Sequence, residues 1–444
     1  MSHVLRRSLK ADQPVIVKGE GSYLIDATGK RYLDACGGAA VSSLGHDNAA
    51  VRAAITAQME QLAFAHTGLF TNQPAEDLAD HLIARAPNGT GEGRVMYLGS
   101  GSEAMEAALK LARQYHLERG DKARAKIIAR KPSYHGNTLG ALAVGGHAGR
   151  RAPFAPMLME VEHIDAAYAY RLQHEGESEA DFAQRLAGQL EERIIALGPE
   201  SVSCFVAEPV VGASLGSQPA PKGYFKHIRE ICDRHGVLLI ADEVMCGMGR
   251  TGSLFALEQE GICADITTMA KGLGAGYQPI AAVMAREIVI DAIVAGSGTL
   301  WNGHTYMSHA AATAGALAVL REVESRDLLA QVRARGAQLE SGLRDRLGQH
   351  AHVGDIRGRG LFWTVELVRD RDSKTPFEVG KNLAGNIQKS AMQAGMICYP
   401  SQGCADGTAG DHVLLAPCFT SPTEEIDLIV QMLGDAVDSC TARL

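Results

Sequence analysis

The sequence contains no Cys-x-x-Cys pair, no basic cluster and no Gly-x-x-x-x-Gly-Lys-Ser/Thr loop. Nine cysteines occur singly, at Cys36, Cys204, Cys232, Cys246, Cys263, Cys398, Cys404, Cys418 and Cys440. An odd count without regular spacing argues against a disulfide scaffold and against structural zinc, so no metal is expected, and reduced thiols point to a cytoplasmic protein. Lys and Arg are scattered and the net charge is −8, which leaves no footprint for nucleic acid. No uncharged stretch is long enough to span a bilayer, and residues 1–10 lack an apolar core followed by a small-residue cleavage site. Neither a membrane partner nor a secretory leader is therefore expected. The missing phosphate loop excludes that mode of nucleotide binding, and no internal repeat or low-complexity tract is visible.

What remains is an ordinary globular composition, 46% hydrophobic and 21% charged over 444 residues. That length exceeds one compact core, so a large and a smaller domain are expected. Residues 15–33 alternate apolar and polar around Gly19, Gly21 and Gly29, which predicts short strands joined by turns. From Asn48 onward Val51, Ile55, Met59 and Leu62 recur at helical spacing. Between residues 94 and 285 short apolar runs alternate with helix-like stretches: Val95-Met96-Tyr97-Leu98, Lys126-Ile127-Ile128-Ala129, Cys204-Phe205-Val206-Ala207, Val237-Leu238-Leu239-Ile240, Ile266-Thr267-Thr268-Met269 and Ile280-Ala281-Ala282-Val283-Met284. This alternation is the pattern of a mostly parallel sheet between helical layers. Residues 171–192 read as a charged, solvated helix. Helices over 310–323, 327–347 and 379–394, with strands over 360–367 and 413–416, predict a smaller α+β unit. The Gly-rich stretch 401–410 reads as a connector or a binding loop.

Two strand ends carry the chemistry. Asp242 closes Leu239-Ile240-Ala241-Asp242 and Lys271 follows Thr268-Met269-Ala270, the edge at which open α/β sheets hold ligands. A lysine that bonds an aldehyde, paired with a carboxylate that keeps a ring nitrogen protonated, suits pyridoxal phosphate (PLP). For either residue alone, a loop cap or a surface lysine would be the better reading. Gly99-Ser100-Gly101-Ser102-Glu103 follows a strand and opens a helix, where small residues, free N–H groups and the helix dipole favour a phosphate; Ser100-x-x-Glu103 also fits a simple capping box. Tyr134, in Ser133-Tyr134-His135-Gly136, can stack on a pyridine ring or merely pack. Val244 points the same way as Asp242 if the chain stays extended. Gly247-Met248-Gly249-Arg250-Thr251-Gly252 matches the dinucleotide fingerprint and makes an NAD-dependent dehydrogenase a rival. Against it, the segment from Asp242 to Cys246 intervenes between strand and glycines, no full crossover helix follows, and Asp265 precedes its strand.

Together these motifs resemble the class III PLP-dependent aminotransferases, from Tyr23-Leu-Ile-Asp-Ala-Thr-Gly-Lys-Arg-Tyr-Leu-Asp34 to His412-Val-Leu-Leu-Ala-Pro417. The most specific part is Asp242-Glu-Val-Met-Cys-Gly-Met-Gly-Arg-Thr-Gly252 followed by Lys271. The resemblance implies fold type I: a large domain with a mostly parallel seven-stranded sheet flanked by helices, plus a smaller α+β domain. Boundaries are expected at 1–50 (contributing to the small domain), 51–308 (the PLP-binding domain) and 309–444 (the small domain). It further implies Lys271 as the lysine bonded to the cofactor, Asp242 on the ring nitrogen, Ser100, Gly101 and Ser102 at the phosphate, and Tyr134, His135, Val244 and Glu208 around the ring. Thr305 matches a threonine that reaches the phosphate of a neighbouring subunit, which implies a homodimer as the minimum unit, alone or paired into a tetramer.

Many relatives grip an α-carboxylate with an arginine late in the chain. Here Tyr399 and Leu414 stand at those positions, and neither can form a bidentate clamp. Arg357 and Arg359 are the remaining candidates, with a structural brace as the alternative. Met245 replaces a glutamine of some relatives. The expected activity is an ω-type aminotransferase passing the amino group of a primary amine, diamine or ω-amino acid to pyruvate or 2-oxoglutarate by a ping-pong mechanism. Its alternatives are an aminomutase, decarboxylase or racemase of the same fold, or a catalytically silent PLP-fold binding protein.

Overall fold

Each apolar run between residues 94 and 285 becomes a strand because its residues alternate between two buried faces. In Val202–Ala207, Cys204 and Val206 join a core with the helix Gly101–Glu118, while Phe205 and Ala207 face the helices Glu179–Leu197 and Tyr224–His235. The computed structural model describes residues 3–10 and 12–442; Met1, Ser2 and Ala11, in the expected N-terminal segment, and Arg443 and Leu444, at the end of the expected small domain, lie outside the described residues. The seven-stranded sheet runs in the order Arg94–Leu98, Ala281–Ala285, Ile266–Met269, Leu238–Asp242, Val202–Ala207, Lys126–Lys131, Glu162–Asp165. Only Ala281–Ala285 opposes its neighbours. The outermost strand, Glu162–Asp165, has no apolar alternation to announce it, since an edge strand buries little.

A second, antiparallel sheet orders Val353–Gly358, Trp363–Leu367, Asp411–Leu415 and Tyr399–Gln402. Helices Leu328–Leu347, Leu383–Ala394 and Thr423–Thr441 pack with it around one core. The strands Ile16–Glu20, Tyr23–Asp26 and Arg31–Asp34 form an antiparallel ribbon that Met396–Ile397 joins in parallel, so the start of the chain pairs with its last third. This is the fold type I architecture implied by the sequence.

One expectation differs in detail, and the disfavoured dinucleotide reading finds no support. The charged stretch 171–192 is not one solvated helix. Gly176, at φ +76, breaks it, and Ser178 caps a new helix, Glu179–Leu197, whose Phe182, Leu186, Leu190 and Ile194 are buried. The Gly247–Gly252 glycines lie in a series of turns instead of opening an α-helix, and the carboxylate of Glu243 accepts from the N–H groups of Ala256 and Leu257 beyond them. No dinucleotide geometry forms there.

Candidate active site

Five parallel-running strands end at one edge of the large sheet, and the segments that follow them line a single cavity of about 280 Å³. Gly99 to Ser102 follow Arg94–Leu98, Tyr134 to Gly136 follow Lys126–Lys131, and Glu208 follows Val202–Ala207. Asp242, Val244 and Met245 come from the end of Leu238–Asp242, and Lys271 follows Ile266–Met269. Parallel pairing puts these ends side by side, at the position where open α/β sheets bind ligands.

Asp242 is buried and accepts three hydrogen bonds. His135 Nδ1 donates to its Oδ2 at 2.7 Å, and Oδ1 accepts from the Val244 N–H at 3.0 Å and from Thr268 Oγ1 at 3.3 Å. A carboxylate only accepts, so His135 carries its proton on Nδ1; its buried Nε2 has no partner among the described residues. Glu208, also buried, accepts from the N–H groups of Tyr134 at 3.1 Å and Gly212 at 2.7 Å, and so fixes the loop that carries Tyr134. Burial pushes the Glu208 carboxyl up, with Asp242 adding to the rise and His135 opposing it.

Lys271 sits in a left-handed conformation (φ +44) that opens a 3-10 turn, its carbonyl taking the N–H groups of Gly274 and Ala275. Such a conformation costs a side-chain-bearing residue on the order of 1 kcal/mol and persists where surrounding structure holds it. Removal from water pulls the ammonium down from its ordinary 10.5 to about 8, although Asp242 and Glu208 favour its charge. A lysine so placed sheds its proton easily and becomes a nucleophile or base near neutrality.

At the helix start that also lines the cavity, the Ser100 hydroxyl accepts from the Glu103 N–H at 3.3 Å, and the Glu103 carboxylate accepts from the Gly99 N–H at 2.7 Å. The capping reading of this motif thus holds. It leaves the N–H groups of Gly101 and Ser102 without an acceptor among the described residues, so the same helix start also offers an anion site. A Cβ on Gly101 would lie 2.9 Å from Val244 Cγ1, which shows how closely the helix start approaches the strand end. Free N–H groups, an unpartnered His135 Nε2, a buried carboxylate and a proton-shedding lysine around one cavity fit the phosphate, ring and aldehyde of PLP.

The other residues singled out in the sequence fall elsewhere. Thr305 is exposed and lines an adjoining cavity of about 600 Å³ that shares Gly99, Gln278, Pro279 and Ile280 with the first. Leu414 is fully buried and cross-strand from Tyr399; both pack in one apolar cluster with Met245, which lines the cavity. Arg357 and Arg359 do not line the cavity. Arg357 bonds Glu366 at 2.7 Å, Asp355 at 2.8 Å and the Gly216 carbonyl at 2.8 Å, and Arg359 pairs with Glu260 at 2.9 Å. Both guanidinium groups brace the protein. The 401–410 stretch begins as a strand and folds back on itself, Gly403 N–H to the Gly410 carbonyl at 2.8 Å, also outside the cavity lining. Thr268 and Gln278 escaped sequence reading: Thr268 meets Asp242 only through strand register, and Gln278 reaches the cavity on a loop without a motif.

A strand-end lysine, a ring-nitrogen carboxylate and a helix-start anion site on a sheet of this order define a PLP-dependent transferase of fold type I. Residues 7–437 match the family model described as Aminotransferase class-III. The chain is 41% identical over 435 residues to an aminotransferase of Gibberella zeae, covering 97% of this chain and 85% of that protein. It is 38% identical over 443 residues to the uncharacterized aminotransferase YodT of Bacillus subtilis, covering 100% and 99%. An omega transaminase from Pseudomonas jessenii, solved in complex with PMP, shares the fold at a TM-score of 0.90 and 35% identity over 97% of this chain and 93% of that one. The protein belongs to the class III aminotransferases and is a PLP-dependent transaminase.

Proposed function

We propose that this transaminase is ω-type: it takes the amino group of a primary amine, diamine or ω-amino acid and passes it to a 2-oxo acid, pyruvate or 2-oxoglutarate, in a ping-pong cycle. The observation that carries this reading is the apolar cluster of Leu414, Tyr399 and Met245, of which Met245 lines the cavity; it sets no cation for the α-carboxylate of an amino-acid donor at the places where relatives set an arginine. An amine carbon bearing apolar substituents gains free energy against Met245, about 25 cal/mol for each Å² of apolar surface buried.

In this reading PLP is held by Ser102 and the N–H groups of Gly101 and Ser102 at its phosphate, by Tyr134 and Val244 at its ring, and by Asp242 at its ring nitrogen, with Lys271 at its aldehyde. When bound, the cofactor accepts the amino group and draws electron density away from the amine-bearing carbon. Asp242 keeps a proton on the ring nitrogen, and His135, which donates to Asp242 Oδ2, holds that carboxylate in place. Lys271 Nζ takes the proton from the amine-bearing carbon and returns it on the far side of the transfer, as base and then acid. Glu208 keeps the Tyr134 loop closed over the cavity. We assign Thr305 to the phosphate of a second copy of the chain, which makes a homodimer the working unit; its exposed position beside the adjoining cavity supports this. The free cysteines among the described residues support a cytoplasmic setting, and the absence of a helix long and apolar enough to cross a membrane among those residues agrees with it. The sheet and helix groupings support a division near residues 50 and 308.

The test is the visible spectrum of the PLP-loaded protein while amines and amino acids are added singly, without acceptor. Loss of the protein-bound PLP band with 1-phenylethylamine or a diamine, restored by pyruvate or 2-oxoglutarate, supports the reading. A response confined to α-amino acids would overturn it.

A further inference from the structure

Resting on the reading above, a 2-oxo acid acceptor needs a cation for its carboxylate, and the positions relatives use are Leu414 and Tyr399. Arg357 and Arg359 are spent on carboxylates and carbonyls. Among the described guanidinium groups, Arg150 is the one that rests on the Tyr134 ring. Arg150 lies with Cζ 4.8 Å from the centre of the Tyr134 ring, and Tyr134 lines the cavity. No hydrogen bond or ion pair engages the Arg150 side chain among the described residues. Its neighbour Arg151 behaves oppositely and donates to the carbonyls of Ala143 and Gly145, the latter at 2.7 Å.

The segment that presents Arg150 is held from outside. The short helix Ala148–Arg151 begins after His147, whose Nε2 bonds the Gln402 carbonyl at 3.1 Å. The 401–410 loop continues beside it: a Cβ on Gly407 would lie 3.0 Å from the Ala148 Cβ, and one on Gly403 3.4 Å from His147 Cε1. The 401–410 loop therefore braces the helix that sets Arg150 on the Tyr134 ring. A flat guanidinium resting on an aromatic face retains its N–H edge for a carboxylate. The field of Arg150 also reaches the chemistry: burial pushes the Tyr134 phenol up and Arg150 opposes the rise, and Arg150 adds to the lowering of Lys271.

We propose that Arg150 receives the carboxylate of the 2-oxo acid at the Tyr134 side of the cavity, replacing the late-chain arginine that this protein lacks. The donor's apolar group and the acceptor's carboxylate then use different sides of the site, Met245 for one and Arg150 for the other. The test compares wild-type, Arg150→Gln and Arg150→Lys holoenzymes in three measurements: KM for pyruvate, KM for 1-phenylethylamine, and the dissociation constant of propanoate, an unreactive carboxylate, followed by the absorbance of the bound cofactor. Arg150→Gln should raise both the pyruvate KM and the propanoate constant roughly 10–100-fold. The rise for pyruvate should exceed any change for the amine at least tenfold, and Arg150→Lys should fall between because it retains charge without the fork. Equal changes for pyruvate and amine, or propanoate binding that ignores the substitution, would overturn the proposal. If wild type shows no oxo-acid-dependent turnover, the aminotransferase assignment of the substrates fails, while the propanoate titration still decides the role of Arg150.

Discussion

Replacing Lys271 by methionine should stabilise the cofactor-free protein while abolishing turnover. The ammonium is pulled from 10.5 in water to about 8 by its removal from solvent. A difference of one pH unit corresponds to about 1.4 kcal/mol, so holding the charged form costs about 3 kcal/mol, and roughly 2–3 after allowing for the part of the side chain open to the cavity. Below pH 8 both folded and unfolded chains carry the proton and the whole cost is present. Between pH 8 and 10.5 the folded chain gives up its proton while the unfolded chain keeps it, so stability climbs with pH; above 10.5 both are neutral and the cost is gone. Methionine has similar length and no charge to desolvate. Unfolding entropy of about 2.1 cal/mol/K per residue makes each kcal/mol worth about 1 °C in a chain of this length. Thermal unfolding of the cofactor-free proteins should therefore place Lys271→Met about 2–3 °C above wild type at pH 7, with the gap closing by pH 10. A variant less stable than wild type at pH 7, or a gap that persists at pH 10, would refute the account of Lys271 as a desolvated cation. In the PLP-loaded state the same variant should show no transamination.

Asp242→Asn removes the charge that His135 Nδ1 donates to at 2.7 Å; expected outcomes are a rate loss of at least about 100-fold and weaker PLP retention on gel filtration. Gly101→Ala sets a Cβ 2.9 Å from Val244 Cγ1 and should raise the dissociation constant of PLP, with Val244→Ala restoring it in the double variant; fluorescence titration reads both. Glu208→Ala strands the N–H groups of Tyr134 and Gly212, an expected loss of about 1–3 kcal/mol in denaturant unfolding. Mixing Lys271→Ala chains with Thr305→Ala chains should recover part of the activity that neither homo-oligomer has, if Thr305 serves a neighbouring copy's phosphate.

The sequence determined the residue types and their places at strand ends. Short apolar runs with Asp242 and Lys271 just beyond them, and a glycine-rich helix start at Gly101 after another, predicted strands that bring these residues to one edge of a parallel sheet, and the resemblance to the class III aminotransferases added Glu208 and a ring-stacking place for Tyr134. Helix periodicity likewise marked Ala310–Ser325 and Leu328–Leu347. The tertiary structure decided what depends on distance between remote segments. Glu162–Asp165 and Val353–Gly358 are strands because a partner completes their hydrogen bonds, not because their residues alternate. Arg357 stood in the sequence between a carboxylate clamp and a brace, and Glu366 and Asp355 engage it; Arg150 carried no motif, yet folding sets its guanidinium on Tyr134 with no ion pair among the described residues. Whether a charge is spent or available depends on which opposite charge the fold sets beside it, and local sequence does not encode that pairing.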